Sequence, residues 1–197
     1  MIFHYKYYYN ISKIVNLIDL KKLHILDFGC GLGNWKTQDL KKAFLRKITF
    51  FDKDKKLLDI LKKRYKLKKA EINFNYRSII KKNYNLIVFS SVIQYIPPKK
   101  LRKIIFDLSK NKKHLSIIIT DIPFLPRPLE LIFLPLFSLK RFIFVIKLIF
   151  SSNYKKMNYF LYKKKDFKKY KSKFSIKYLK NLHDLSVLRY SLIMKIK

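Results

Sequence analysis

The stretch HILDFGCGLGNW, residues 24–35, holds all three glycines of the chain, Gly29, Gly31 and Gly33, directly after an apolar run that ends in Asp27. Average usage of ~7% would give a chain of this length on the order of a dozen glycines, so these three stand where a side chain is not tolerated. A backbone that must turn sharply beneath a bound ligand is one such place. The spacing G-x-G-x-G differs from the G-x-G-x-x-G of dinucleotide sites, because the third glycine comes one residue early and Asn34 follows it. Asp52 closes the next apolar run, ITFFD, where a carboxylate can accept hydrogen bonds from both hydroxyls of a ribose. Asp54 fits a helix N-terminus better. Ser90, Ser91, Gln94 and Tyr95 follow a third run in VFSSVIQYI, and Asp121 ends a fourth in IIITDIP. Among possible bases, His4, His114, His183, Tyr95 and Asp121, no residue is singled out as catalytic, though Asp121 is better placed than any histidine, and His24 and His114, each opening a strand, read as structural. No metal-binding spacing, G-x-S-x-G elbow or Walker lysine is present.

The elements that must position these residues alternate between strands and helices. Ser12 caps a short leading helix over residues 12–20, and KLHILDF has the compact apolar character of a strand buried on both faces. QDLKKAFLRK reads as a helix, ITFFD as a strand, and residues 54–65 as a helix with Leu57, Leu58 and Leu61 on one face. EINFN is a weak third strand, YNLIVFSS a strong fourth, PKKLRKIIFDLSK a helix opened by proline, and HLSIIITD a fifth strand. The alternation predicts an α/β fold with a doubly wound, mostly parallel sheet. SKFSIKYLK and VLRYSLIMKIK, joined without a helix, predict an antiparallel hairpin at the sheet edge.

Composition sets the outer limits. The 197 residues suit a single domain, 1–197, with a hydrophobic insertion at about 124–160 before the hairpin. The net charge of +34 suggests a nucleic-acid partner, yet lysines occur in nearly every segment and read as solvated faces under a compositional drift. One cysteine, Cys30, excludes an internal disulfide and fits a cytoplasmic setting, and the opening MIFHYKYYYNISK lacks the apolar core of a signal peptide. The apolar stretch 124–152 is interrupted by Glu130, Pro135, Lys140, Arg141 and Lys147, which suits a lid, an interfacial helix in peripheral contact with a membrane, or helices packed on the sheet, more than a membrane span.

Asp27, one intervening residue and then Gly29, Cys30, Gly31, Leu32 and Gly33 resemble motif I of the class I S-adenosylmethionine-dependent methyltransferases. The resemblance covers residues 24 to about 121 and extends to the final hairpin, since that family's sheet has seven strands with the last antiparallel. It implies S-adenosyl-L-methionine as cofactor. The glycine loop, with Gly29, Cys30, Gly31 and Gly33, would pass under the methionine and ribose, and Asp27 would hold the methionine end. Asp52, with Lys53 beside it, would take the ribose, while Ser90 and Tyr95 would border the methionine and the reactive methyl. The family often places an acidic residue near Tyr76–Ser78 to receive the adenine amino group. NYRSIIKKN has no carboxylate, which leaves Ser78 or a main-chain carbonyl for that task. The N-terminal segment and residues 124–160 would select the acceptor, and the apolar character of the insertion points to a small or lipid-like molecule. The alternatives are an RNA methyltransferase, a basic RNA-binding protein, and a non-catalytic partner protein of the same fold.

Overall fold

A computed structural model describes residues 24–31, 47–66, 72–123, 143, 159–179 and 189–197. In chain order the elements are β1 (Ile25–Phe28), β2 (Ile48–Phe51), α1 (Lys55–Tyr65), β3 (Ile72–Asn73), α2 (Tyr76–Lys81), β4 (Leu86–Ser90), a 3-10 turn (Ile93–Tyr95), α3 (Pro98–Ser109), β5 (Ser116–Pro123), α4 (Lys164–Lys168), β6 (Phe174–Leu179) and β7 (Arg189–Ile196). The expected helices over 12–20 and 38–47, and nearly all of the 124–160 segment, lie outside the described residues.

The strands form one seven-stranded sheet in the order β3-β2-β1-β4-β5-β7-β6. β3, β2, β1, β4 and β5 run parallel, whereas β7 is antiparallel to both β5 and β6. The C-terminal strands therefore form the expected antiparallel hairpin at the sheet edge. Its second strand inserts against β5, and its first becomes the edge strand.

Burial on both faces explains why the parallel strands read as unbroken apolar runs. Leu26, Phe28, Ile87, Phe89, Ile117 and Ile119 pack on one face against α2 and α3 residues including Ile79, Leu101, Ile105 and Leu108. Ile25, Phe50, Val88 and Ile118 pack on the other against Leu58 and Leu61 of α1. Successive side chains thus alternate between two cores, each needing apolar residues.

Two short helices, α2 and α4, were not expected from the sequence. Asn75 starts α2, its side chain accepting from the Arg77 N–H at 3.0 Å, and Tyr76, Ile79 and Ile80 supply the apolar side packed on the first core. At α1 the cap is Asp54, whose Oδ1 accepts from the Lys56 N–H at 2.9 Å. Asp54→Ala is expected to lower stability by about 1 kcal/mol in urea unfolding, with the denaturant slope unchanged.

Candidate functional site

Parallel strands of a wound sheet present their carboxyl ends together, and the candidate site is built there. At the end of β1 the chain turns through Gly29 and Gly31, with φ of 71° and 53°. The turn is fastened to β2, because the N–H groups of Gly29 and Cys30 both donate to the Phe51 carbonyl, at 2.7 and 3.0 Å. Asp52 continues that fastening. Its Oδ2 accepts from the Gly31 N–H at 2.9 Å and its Oδ1 from the Asp54 N–H at 3.0 Å. Each carboxylate oxygen has a second lone pair, so Asp52 retains acceptor capacity for a ligand. Lys53 beside it is exposed.

The two described glycines answer different demands. A Cβ on Gly29 would stand 2.3 Å from Cγ2 of Val92 in the loop after β4, so this glycine lets two walls of the site meet. Around Gly31 no described atom lies within 4 Å of where a Cβ would stand, and the space above its backbone is open to a ligand. Gly33 lies outside the described residues. The Cys30 side chain is buried in the second core, where loss of hydration first, and then the charges of Asp27 and Asp52, push its thiol well above the usual range. It stays a neutral packing group, its thiol donating weakly to the Gly31 carbonyl at 3.8 Å.

Asp27 of β1, Ser90 at the end of β4 and Thr120 of β5 lie on the same side of the sheet, Ser90 and Thr120 being register partners. All three are buried. The Oγ of Ser90 and the Oγ1 of Thr120 have no hydrogen-bond partner among the described residues, a costly state for hydroxyls away from water. Beside them, Ser91 and Asp121 both adopt positive φ, 50° and 59°, and the Ser91 hydroxyl donates to the Asp121 carboxylate. The Asp121 N–H donates to Ser191 Oγ on β7 at 3.4 Å, within the register shift between Ile119 and Ile122. Two non-glycine residues with left-handed backbone, bonded to each other on neighbouring strands, are a costly local arrangement that the surrounding sheet holds in place. Gln94 is buried and its carbonyl accepts from the Phe160 N–H, whereas Tyr95 is 38% exposed at the rim, edge-on to Tyr159.

No family model matches the chain. Among solved structures, a SAM-dependent methyltransferase from Anabaena variabilis superposes with a TM-score of 0.60 at 15% identity, over 96% of this chain and 84% of that one. The magnesium protoporphyrin IX methyltransferase of Synechocystis PCC 6803 with bound SAH gives 0.54 at 16% identity, over 94% and 78%. The chain has the class I S-adenosylmethionine-dependent methyltransferase fold. Among curated proteins, ribosomal RNA small subunit methyltransferase A of Mesomycoplasma hyopneumoniae strain 232 is 34% identical over 113 residues, 55% of this chain and 40% of that protein. The corresponding protein of strain J is 31% identical over 114 residues. The matched regions span less than half the length of these relatives.

In this methyltransferase fold the remaining expected residues fall into two groups. At the carboxyl end of β3, Ser78 is half-buried on α2 and its Oγ accepts from Asn73 Nδ2 at 2.9 Å. Phe74, next to Asn73, is 61% exposed with the Lys55 ammonium 5.8 Å from its ring centre. Neither Asn73 nor Phe74 was singled out from the sequence. The signal available was a large aromatic immediately after a strand on the site's side of the sheet. His24 and His114 stand exposed just before β1 and β5, at the opposite ends of those strands from Gly29 and Asp121, and so take no part in the site. His4, His183 and residues 124–142 and 144–158 lie outside the described residues. Among the described residues no cluster of His, Cys, Asp or Glu is suited to a metal, and no helix is long and apolar enough to cross a membrane.

Proposed function

We propose that the chain transfers a methyl group from S-adenosylmethionine to RNA. The observation that carries the cofactor reading is the joining of the glycine turn to Asp52 beneath open space at Gly31. The residues fit the cofactor. Asp52 would take the ribose hydroxyls, the backbone of Gly29, Cys30 and Gly31 would hold the ribose and methionine, and Lys53 would flank the ribose. Asp27 and Ser90 hold the methionine end, where the lone hydroxyls of Ser90 and Thr120 gain a partner. Phe74 and Ser78 serve the adenine in place of an acidic residue, and Tyr95 borders the methyl from the rim. When bound, S-adenosylmethionine supplies a methyl on a sulfonium, a leaving group that needs no activation by the protein. The chain's own contribution is then to bind and align, which can supply most of the acceleration. Where the acceptor must lose a proton, Asp121, held by Ser91, is the group positioned to receive it.

RNA as acceptor is supported by the two ribosomal RNA methyltransferases at 34% and 31% identity. A small or lipid-like acceptor is the second reading, supported by the apolar composition of residues 124–152 and by the protoporphyrin methyltransferase among the fold neighbours. One experiment addresses both. S-adenosylhomocysteine at a hundred times its dissociation constant is expected to add about 2.7 kcal/mol of stability, read as a rise in Tm. Label from methyl-tritiated S-adenosylmethionine is then expected in the RNA fraction of a mixture of total RNA and lipid extract. No stabilisation at millimolar ligand overturns the cofactor reading and leaves a non-catalytic protein of this fold. Stabilisation with label only in the lipid fraction overturns RNA.

A further inference from the structure

We infer that the groove between α3 and the turn joining α4 to β6 is a track for single-stranded RNA, distinct from the cleft at the strand ends. The groove encloses about 460 Å³. Lys99, Arg102 and Lys103 of α3 line one wall, Lys169 and Lys173 the other, and among the described residues no carboxylate lines it. Of the carboxylates nearest in sequence, Asp107 accepts from the Tyr76 hydroxyl and Asp166 from the Lys163 N–H.

Two features separate this groove from the lysine background of the chain. The first is an aromatic surface among the cations. Phe106 is 60% exposed although it stands on a helix whose other apolar residues, Leu101, Ile104, Ile105 and Leu108, are buried. It offers a face on which a base can stack, and stacking together with backbone cations is how unpaired strands are held without sequence preference. The second is a fixed cation in the floor. Lys173 Nζ donates to both the carbonyl and the Oγ of Ser109, at 2.9 and 3.0 Å, and lies 5.7 Å from the Phe106 ring centre. Its charge is positioned in advance, so little ordering entropy is lost when a phosphate arrives.

The direction of α3 connects the groove to the site. The helix begins at Pro98, just after the 3-10 turn that carries Tyr95 at the rim, and runs away from the strand ends. Lys99, Arg102, Lys103 and Phe106 follow one another along a single face for about 10 Å at ~1.5 Å per residue. A strand lying on that face would have one end at the lip of the cleft.

The inference deepens the reading of RNA as acceptor, and binding is measured separately from methylation so that the two can fail independently. An unstructured oligouridylate is titrated into the full chain by fluorescence anisotropy from 50 to 200 mM salt. Replacing Lys99, Arg102, Lys103 and Lys169 by Gln is expected to lower the slope of log affinity against log salt by about 3, at ~0.7 per phosphate contact on a single strand. A charge-matched variant with Gln at Lys56, Lys62, Lys63 and Lys113, exposed positions elsewhere, is expected to change the slope by less than about 1. Phe106→Ala is expected to weaken binding about tenfold with the slope unchanged, because it removes stacking and no charge. Equal losses in the two quadruple variants overturn the track, as does binding of the groove residues to phosphatidylserine vesicles but not to oligouridylate. A groove that binds RNA in a protein that methylates none separates the two readings, the track standing and the acceptor falling. Methylation of RNA with an unchanged KM in the groove variant does the reverse.

Discussion

Gly31→Val is expected to abolish stabilisation by S-adenosylhomocysteine while leaving a folded protein. Gly31 has φ of 53°, and no described atom lies within 4 Å of the position a Cβ would take. The substitution therefore meets no packed neighbour among the described residues. The backbone cost is that of a left-handed conformation for an L residue, about 1–2 kcal/mol, and more for a β-branched one. That is a loss a folded domain can absorb. The ligand has no such latitude, because the two γ-methyls would occupy the space above the turn and the Gly31 N–H held by Asp52 would be displaced with them. We expect affinity to fall by at least about a hundredfold, which leaves at most about 0.4 of the ~2.7 kcal/mol of stabilisation that ligand at a hundred times the parent dissociation constant provides. The measurements are Tm with and without ligand and the dissociation constant by titration calorimetry. Affinity within threefold of the parent would mean that the open space at Gly31 is not where the cofactor lies. A Tm collapse without ligand would mean that the open space is filled in solution.

The legibility of this site in the sequence differs residue by residue. The glycine turn and Asp52 are close to the ends of runs whose apolar character is forced by two-sided burial, so their positions follow from the strands themselves. The pairing of Ser91 with Asp121 could not be read, because 30 residues and a whole helix separate them and only the adjacency of β4 and β5 brings them together. α2 was missed because Tyr76, Ile79 and Ile80 favour strands intrinsically, and the information that overrules them is one side-chain cap on Asn75 and packing on the first core. Which strand of the C-terminal hairpin meets β5 is not fixed by local sequence, for a related reason. Period and turn length predict that two strands pair, but which of them meets the existing sheet depends on the faces they bury. Cationic residues raise the reverse difficulty. Lys99, Lys103 and Lys169 are indistinguishable in sequence from the other lysines, and only their placement around Phe106 sets them apart.

Gly29 gives the complementary expectation, a loss of stability in place of a loss of ligand. Gly29→Ala places a Cβ 2.3 Å from Val92 Cγ2 and 3.1 Å from its Cβ, at a φ of 71°. Val92 cannot simply swing aside, since it packs against the first core beside the strained Ser91. Overpacking costs about 1–3 kcal/mol and the left-handed backbone about 1–2, so a total near 2–5 kcal/mol is expected. For a chain of this size that corresponds to a Tm lower by roughly 5–15 °C. The steric share is separable from the conformational share. Val92→Ala removes the clashing methyls, so the double variant Gly29→Ala/Val92→Ala is expected to be more stable than the sum of the single losses by about 1–2 kcal/mol. Strict additivity in urea unfolding would show that the two walls do not meet at this contact. The double variant also divides the roles of the two glycines. Because the Gly29 and Cys30 N–H groups are spent on the Phe51 carbonyl and only the Gly31 N–H is held by Asp52, restoring the packing should restore ligand affinity to within about tenfold of the parent. A double variant that folds well and still fails to bind S-adenosylhomocysteine would transfer the ligand role to Gly29 as well, and the motif would then act on the cofactor from its first glycine onward.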